Sequence, residues 1–558
     1  MTTVERPDFP SLSTPTLHLA GSAVAAEPAL RAALALGAAA LTKVLAGLQT
    51  PFAVGMTDSA SGRTLLAVDR FGVQSLCYAI RSGHISFAPQ ADAIAGPATP
   101  LDLQALFDYL YFHAIPSPRT IFEGVFRLPP GHFAVFDQGR LSIAPYWVAT
   151  FDDRQNRGFE VSRDEFRRLL RTGVASQLDG GKPACFLSGG TDSSTIAGVI
   201  GEVAGRAAAT YSIGFEAQGY DEMAFARIAA KHFGTEHHEY YVTPGDLVSS
   251  IPAVAASFDQ PFGNSSAVPA YHCARMARED GVTRLLAGDG GDELFGGNSR
   301  YATERVFGWY GRVPQPVRSM VLEPLFTQGP LASIPGMRKV GSYIRQASTP
   351  LPDRLQSYNL LLRLGVADVL TPEFLTQVDV AAPQRQQREI WVGPTQANAL
   401  NRNLAFDWRY TLAESDLPKV CGSAALAGMA VGFPLLDTAM VDFSTRLPSD
   451  YKLRGLKLRW FFKEALRGFL PDEILTKKKQ GFGLPFGVWT TQHSGLLALA
   501  KDSLAGLATR GVVRPEFLDK LIRERLHEHP GYYGGMIWIL MMLEQWLRHH
   551  RPNFKLQG

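Results

Sequence analysis

A turn rich in serine and glycine is the segment of this sequence best suited to chemistry. Residues 183–197 read PACFLSGGTDSSTIA, a short apolar run followed by the turn and then by a helix start. Glycines let the backbone approach a phosphate closely, and the free N–H groups of a helix start donate to it. The turn therefore predicts a phosphate site with hydroxyl donors and one carboxylate for a phosphate-bound Mg²⁺, formed by Ser188, Gly189, Gly190, Asp192, Ser193 and Ser194.

A second turn of similar design lies further along the chain. Residues 284–301 read RLLAGDGGDELFGGNSRY, with carboxylates at Asp289, Asp292 and Glu293. Three carboxylates on one turn repel each other unless cations neutralise them. Alone, this turn reads equally well as a solvated acidic loop. Paired with Asp192 across a parallel sheet, it predicts a clamp for Mg²⁺ and pyrophosphate at the ends of the strands.

The elements that must position these turns change in type along the chain. Up to about residue 151, short apolar runs broken by turn residues are typical of antiparallel strands. After residue 160, helical patterns alternate with compact apolar strands, the rhythm of a parallel α/β sheet, and helices dominate from about residue 300. We predict two domains, residues 1–152 and 153–558, and a loop within residues 377–397.

Composition excludes several classes of protein. The chain has 558 residues and a net charge of +3, which asks for neither nucleic acid nor a membrane surface as partner. Four scattered cysteines suit a reducing cytoplasm, and the start lacks the layout of a signal peptide. The apolar run at residues 536–543 is too short to span a bilayer and predicts a buried helix.

Several segments together resemble the asparagine synthetase family. The first turn lacks the Gly-Lys-Ser/Thr ending of a Walker loop and resembles the pyrophosphate loop of enzymes that split ATP into AMP and pyrophosphate. From about residue 50 to the C-terminus, the order and spacing of six segments resemble that family: SGGTDSS, YSIGF, YDEMAFARIAAKHFGTEHHE, DQPFGNSSAVPAY, GDGGDELFGG and KKKQGFGLPFGVW. The resemblance implies an α/β fold, with a parallel-sheet domain of the adenine-nucleotide α-hydrolase (PP-loop) type and a degenerate, β-rich N-terminal domain of the Ntn type.

The resemblance also implies cofactors and roles. ATP and Mg²⁺ would be the cofactors, with Asp192 and Asp292 as metal ligands and Asp289 as a catalytic residue. Lys479 matches a lysine that the family places over the reacting acyl-adenylate, where a cation would stabilise developing negative charge. Without its GFGLP context, Lys479 would read as one lysine of a solvated run. The residues implied in binding ATP or pyrophosphate are Leu187, Ser188, Gly189, Gly190, Asp192, Ser193, Ser194, Ser212, Ile213, Gly214 and Gly288.

Two departures from the family pattern bear on the substrate. Glutamine-using members carry a cysteine nucleophile directly after the initiator Met, whereas here Thr2 stands there and the first cysteine is Cys77. We therefore expect an N-terminal scaffold that does not hydrolyse glutamine. Four positions that are charged in many members have become neutral, and because both signs vanish together we expect a roomier, less polar cleft: Cys421, Gly422, Ala430 and Gly432.

Three functions compete on this basis. The first is an ATP-dependent macrolactam or isopeptide cyclase similar to those of lasso peptides and, in its logic, to β-lactam synthetases, with a precursor peptide and its protease as partners. The second is an asparagine synthetase-like amidotransferase that uses free or partner-supplied ammonia. The third is an inactive scaffold, against which the intact Ser188, Asp192, Asp292 and Lys479 argue. A sulfur-transferring enzyme acting on tRNA would need extra cysteines or a basic face.

Overall fold

A computed structural model describes residues 16–155, 157–328, 337–477 and 483–556 of the chain. Its N-terminal part consists of two antiparallel sheets, with strand orders β1-β2-β3-β7-β8 and β5-β4-β6. Buried side chains of both sheets share one cluster, and two helices cover the other face of the larger sheet. The strands are β1 (Leu17–Gly21), β2 (Phe52–Thr57), β3 (Thr64–Val68), β4 (Cys77–Arg81), β5 (His84–Ala88), β6 (Val125–Arg127), β7 (His132–Asp137) and β8 (Arg140–Pro145), and the helices are α1 (Ala23–Leu36), α2 (Ala38–Ala46) and α3 (Leu103–Phe112).

A parallel sheet forms the centre of the rest of the chain. Its order is β11-β10-β9-β12-β13, and Cys185 of the middle strand is paired with Leu286 of the fourth. The strand that comes first in the chain is therefore flanked by later strands on both sides, and in such sheets ligands bind at the carboxyl ends of the strands where the order reverses. The strands are β9 (Ala184–Phe186), β10 (Ala209–Phe215), β11 (Glu236–Val242), β12 (Arg284–Leu286) and β13 (Ala430–Gly432).

Helices surround this sheet and make up most of the C-terminal half. Those packed around the sheet are α4 (Phe159–Gln177), α5 (Thr191–Ala204), α6 (Met223–Phe233), α7 (Pro244–Ser257), α8 (Ala267–Glu279) and α9 (Gly291–Phe295). The later helices are α10 (Ser299–Tyr310), α11 (Gln315–Val317), α12 (Met337–Ser348), α13 (Leu360–Leu364), α14 (Val366–Val369), α15 (Pro372–Leu375), α16 (Ala382–Val392), α17 (Ala399–Asp407), α18 (Leu417–Leu426), α19 (Thr438–Arg446), α20 (Ser449–Lys452), α21 (Trp460–Ala465), α22 (Asp472–Thr476), α23 (Phe486–Gln492), α24 (Ser494–Ala508), α25 (Pro515–Lys520), α26 (Leu526–Glu528) and α27 (Pro530–His550). Shorter pieces are the hairpin β14 (Leu453–Arg454) and β15 (Lys457–Leu458), the 3₁₀ turns Asp353–Gln356 and Pro434–Leu436, and the π-helical segments Arg318–Leu322, Pro324–Gln328, Trp408–Asp416 and Leu521–Arg525.

The N-terminal sheets share their core with the helical part of the chain. Helix α3 lies in the same buried cluster as α27, and the hydroxyl of Tyr109 donates to the carbonyl of Ile539 at 2.8 Å. A second link joins Arg70, directly after β3, to Asp442 of α19, with 2.6 Å between Nη1 and Oδ1. The N-terminal layer is thus packed into the rest of the molecule rather than attached to its surface.

The structure decides some of the expectations about elements. The helical C-terminal half is confirmed, and the apolar run at residues 536–543 lies buried inside α27. The loop expected within residues 377–397 is wrong, since α16 occupies much of it with Trp391 and Gln387 buried. The predicted domain boundary between residues 152 and 153 falls between β8 and α4 and stays a prediction. Among the described residues, none of the helices has both the length and the apolar character needed to cross a membrane.

Candidate active site

The first turn connects β9 to α5, and contacts with α6 and β10 hold it in place. Gly189 has φ +69° and lies so close to the backbone of Phe225 and Ala226 that a Cβ would collide with them. The hydroxyl of Ser212, on the neighbouring strand β10, donates to the carbonyl of Leu187. The Ser193 hydroxyl accepts from the backbone N–H of Ser188 at 3.1 Å. These contacts fix the turn with the N-terminus of the 14-residue helix α5 behind it.

The second turn connects β12 to α9 and packs directly against the first. A Cβ on Gly288 would lie 2.8 Å from the backbone nitrogen of Ser193 and 2.9 Å from the carbonyl carbon of Asp192. A Cβ on Gly291 would collide with the carboxylate of Asp192. Glycine at both positions is therefore what lets the two turns approach each other, because any side chain would separate them.

Arg459 joins the acidic residues of the two turns. Its Nη1 lies 2.7 Å from Oδ2 of Asp192, 2.8 Å from Oδ1 of Asp292 and 2.8 Å from the hydroxyl of Thr191. The guanidinium stacks at 4.1 Å on the ring of Phe462, and the side chain is only 7% exposed. Burial acts to lower the pKa of Arg459, but the carboxylates of Asp192 and Asp292 outweigh it and raise that pKa.

The geometry around Arg459 also tests the predicted metal ligands. Both carboxylates reach the same nitrogen of Arg459, at 2.7–2.8 Å, so the cation that Asp192 and Asp292 share in this structure is that guanidinium. Carboxylate oxygens are the ligands Mg²⁺ prefers, and the donor set therefore fits Mg²⁺. Sequence reasoning missed Arg459, because a lone arginine before the apolar WFF run belongs to no motif, and its partners lie far back in the chain.

A second cation, Lys419, lies beside another acid of the second turn, Asp289. Its Nζ lies 3.0 Å from Oδ1 of Asp416 and 3.7 Å from Oδ1 of Asp289. Burial raises the pKa of Asp289 to about 6, although Lys419 acts to lower it. A carboxyl group that titrates near neutral pH can exchange a proton with a substrate, which is what a general base requires. Sequence reasoning had assigned neither Lys419 nor Asp416 to the site.

One cavity of about 310 Å³ opens over both turns. The carboxylates of five lining residues face one lining lysine, and the opposite wall is apolar, with Pro269, Ala270, Cys273 and Val420. Of the residues predicted for the site, those that line the cavity are Leu187, Ser188, Asp192, Ser193, Ile213, Gly288, Asp289 and Asp292.

The other predicted residues lie behind the cavity wall or beyond the described chain. Ser194 is fully buried, and its hydroxyl has no hydrogen-bond partner among the described residues. Gly214 packs under the ring of Tyr241. Gly189, Gly190 and Ser212 shape the first turn from within it or beneath it. Lys479 lies outside the described residues, and so do its neighbours at 478 and 480–482.

The last described residue before Lys479 is tied to the first turn. The Nζ of Lys477 pairs with Oε1 of Glu222 at 2.8 Å and lies 4.4 Å from the centre of the Phe225 ring. Phe225 is also the residue that Gly189 packs on. The chain therefore enters the lysine-rich segment directly beside the predicted phosphate loop.

The expectation of a roomier cleft is wrong at two of its positions. The space beside Gly422 is filled by the ring of Phe258, and the space beside Gly432 by side-chain atoms of Gln177 and Leu286. Ala430 is exposed, and Cys421 does not line the cavity. At Gly422 and Gly432, neighbouring side chains therefore fill the space beside the backbone.

None of the four cysteines has the properties of a nucleophile. Cys77, Cys185 and Cys273 are buried, and burial raises the pKa of each thiol. Burial also raises the pKa of Cys421 to about 12. A thiol attacks as its thiolate, so these residues are inert at neutral pH.

Comparison with known proteins identifies the family of the chain. The asparagine synthase family profile matches residues 165–548, and the glutamine amidotransferase domain profile matches residues 21–147. The chain is similar to "Asparagine synthetase [glutamine-hydrolyzing] 1" of Bacillus subtilis (strain 168), at 26% identity over 430 residues, which are 76% of this chain and 66% of the relative. It is 27% identical over 463 residues to a "Putative asparagine synthetase [glutamine-hydrolyzing]" of Mycobacterium tuberculosis (strain ATCC 25618 / H37Rv), covering 80% of this chain and 69% of the relative. It is also 26% identical over 483 residues to "Amidase chry2" of Gibberella zeae (strain ATCC MYA-4620 / CBS 123657 / FGSC 9075 / NRRL 31084 / PH-1), covering 79% of this chain and 70% of that protein. The asparagine synthase profile spans more than half of the chain, so the chain belongs to the asparagine synthase family.

Proposed function

We propose that the protein is an AMP-forming ligase that activates a substrate carboxylate with ATP and transfers it to an amine. The observation that carries this proposal is the convergence of a helix N-terminus and the carboxylates of Asp192, Asp289 and Asp292 on one cavity. Such an arrangement binds a polyphosphate with its cation and holds a base beside it. The family assignment supports ATP-dependent amide formation, and we assign the PP-loop fold and a degenerate Ntn-type N-terminal domain on the same grounds.

The reaction has two steps. The substrate carboxylate attacks the α-phosphorus of ATP, the bond to the β-phosphate breaks, and acyl-AMP and pyrophosphate form. The amine nitrogen then attacks the acyl carbon, AMP leaves, and the amine loses a proton. In this scheme the hydroxyls of Ser188 and Ser193 and the start of α5 bind the pyrophosphate. Mg²⁺ held by Asp192 and Asp292 would neutralise charge on the phosphates.

The residues around Lys419 suit the second step. Asp289, with its raised pKa, accepts the proton that the amine gives up. Lys419 lies beside Asp289, is paired with Asp416, and acts to lower the pKa of Asp289. Lys479 is proposed to supply a further cation over the acyl-adenylate, as the resemblance implies.

The charges of the cavity favour a peptide as substrate. A free amino acid such as aspartate brings an α-carboxylate that needs a cation of its own. Among the described residues that line the cavity, the one cation is Lys419, and it is already paired with Asp416. We therefore propose a macrolactam or isopeptide (lasso-type) cyclase, which joins a peptide's N-terminal amine to an Asp or Glu side chain. A precursor peptide and its protease would be its partners.

The names of the relatives favour a second candidate. Several relatives are named glutamine-hydrolysing asparagine synthetases, so amidation with free or partner-supplied ammonia is the alternative. The inert cysteines support an amine that does not come from glutamine within this chain.

Exchange of labelled pyrophosphate into ATP tests the reaction class. Candidate carboxylates are free aspartate, free glutamate, and a peptide with one Asp or Glu side chain and a free N-terminus. We expect exchange with the peptide, followed by a product lighter by one water. The same peptide with an acetylated N-terminus is the matched control, and it should support exchange without the product.

The outcomes separate the candidates. Exchange with aspartate and amide formation from ammonia would favour the amidotransferase. If none of the carboxylates supported exchange, the inactive scaffold would be favoured. Release of glutamate from glutamine would contradict the expected loss of glutaminase activity. Lys479→Ala should remove the product while nucleotide still binds, and a product at the normal rate would contradict the role given to Lys479.

A further inference from the structure

A π-helical segment carries two residues of the candidate site. Trp408–Asp416 joins α17 to α18 as nine residues of π-helix. Asp416 ends this segment, and Lys419 lies in the first turn of α18. Both line the cavity beside Asp289. π-Helical turns are rare and concentrate at functional sites, and their extra residue per turn displaces the residues after them. The shape of this segment therefore sets where Asp416 and Lys419 stand.

Contacts of Glu414 bind the segment to the N-terminal layer. The side chain of Glu414 is 4% exposed. Its Oε1 accepts from the backbone N–H of Ser117 at 3.1 Å and from the Ser117 hydroxyl at 2.9 Å. The same carboxylate pairs with the guanidinium groups of Arg127 and Arg409. Ser117 follows α3 and Arg127 ends β6, so two separate elements of the N-terminal layer hold one residue of the segment.

Arg409 binds the beginning of the segment to the same layer. Its Nη2 lies 2.6 Å from the carbonyl oxygen of Ser117 and 2.8 Å from the Ser117 hydroxyl. Arg127 is fixed in turn by the carbonyl of Ile115 at 2.6 Å. Both ends of the π-helical segment are therefore bound to the same loop, and the segment cannot shift without breaking buried hydrogen bonds to charged groups.

Two further contacts connect the segment to the walls of the cavity. Nε1 of Trp408 donates to the carbonyl of Glu293 in α9, at 2.9 Å. The side-chain amide of Asn264 donates to the Ser415 hydroxyl at 3.1 Å, and Ser266, two residues after Asn264, lines the cavity. The segment thus meets the second acidic turn, the apolar wall and the N-terminal layer at once.

We propose that Glu414 is a positioning residue: held by Ser117, Arg127 and Arg409, it fixes the π-helical segment so that Asp416 and Lys419 face Asp289. The N-terminal layer is then part of the ligase site, although none of its residues lines the cavity among those described. The chemical consequence rests on the proposed function, whereas the positioning itself does not.

Kinetics of two variants test the inference. Ser117→Ala removes one hydroxyl from the network, and Glu414→Gln removes the charge that both arginines pair with. We expect the rate of amide formation to fall roughly threefold to tenfold in Ser117→Ala and further in Glu414→Gln. The KM for ATP should stay unchanged, because the phosphate turn belongs to β9 and α5. The acidic limb of the pH–rate profile should move upward, since Lys419 would no longer lower the pKa of Asp289 as strongly.

The matched control breaks another contact between the same two parts of the chain. Asp442 lies on α19, outside the π-helical segment and outside the contacts of Glu414 with Ser117, Arg127 and Arg409, and Asp442→Asn removes its ion pair with Arg70. In this variant the rate of amide formation and the acidic limb of the pH–rate profile should both be the same as in the unaltered protein. An equal effect in Asp442→Asn, or an unmoved pH limb in both test variants, would overturn the inference.

Hydrogen exchange gives a readout without turnover, which separates this inference from the proposed function. Amides of residues 410–420 should exchange faster in Ser117→Ala and Glu414→Gln than in the unaltered protein and in Asp442→Asn. Unchanged exchange in both variants would refute the positioning role even in an active enzyme. Faster exchange in a protein that activates no carboxylate would support the positioning role and refute only the proposed function.

Discussion

The two turns at the ends of β9 and β12 look alike in sequence but differ in what they offer. The first presents hydroxyls and the N-terminus of a long helix, with Asp192 as its carboxylate. The second is followed by a helix of only five residues and presents Asp289, Asp292 and Glu293. The first turn is therefore suited to bind anions and the second to bind cations and protons.

This difference shows how the site balances its charge. Each turn contributes acids, and the cations that neutralise them come from the C-terminal part of the chain. Arg459 bridges Asp192 and Asp292, whereas Lys419 serves Asp289. Substitutions that separate the two turns, or remove one cation, test whether the turns have distinct roles.

The largest effect is expected where the turns share a cation. Asp192→Ala and Asp292→Ala should each lower the rate of pyrophosphate–ATP exchange by at least about 10²–10³-fold. Each variant loses a carboxylate that would hold the Mg²⁺ needed to neutralise the charge on the phosphates. Both are measured by exchange of labelled pyrophosphate into ATP. Thermal unfolding is the control, since each variant leaves Arg459 one carboxylate and should keep the fold. Normal exchange in either variant would show that the turns do not act as one clamp.

A smaller effect separates proton transfer from ATP binding. Asp289 must be ionised to accept a proton, so amide formation should decline as the pH falls through about 6. Lys419 lowers the pKa of Asp289, hence Lys419→Met should move this acidic limb upward by about one pH unit. The measurement is the pH dependence of amide formation, with ATP affinity measured in parallel. A limb that stays in place would mean that Asp289 is not the titrating group.

Much of the fold could be predicted from the sequence, and so could one half of the site. The two turns follow compact apolar strands, and local glycine, serine and aspartate patterns are enough to identify them. Arg459 and Lys419 could not be found in this way, because they meet the acids of the two turns only through long-range packing. Gly422 and Gly432 misled the prediction for a related reason, since a sequence shows which side chain was lost and not which neighbour fills the space.

The close approach of the two turns can itself be tested at Gly288. In Gly288→Ala the new Cβ would lie 2.8 Å from the nitrogen of Ser193, so the turns must move apart. We expect weaker binding of ATP by about 1–3 kcal/mol, a factor of roughly 5 to 150, because the donors of the first turn would no longer face the carboxylates of the second. Gly201→Ala is the matched control, since Gly201 lies on the same helix α5 and a Cβ there meets its nearest neighbouring atom, the carbonyl oxygen of Arg206, at 4.0 Å. If ATP bound equally well to both variants, the spacing of the turns would not matter, and each turn would have to bind its part of the nucleotide independently.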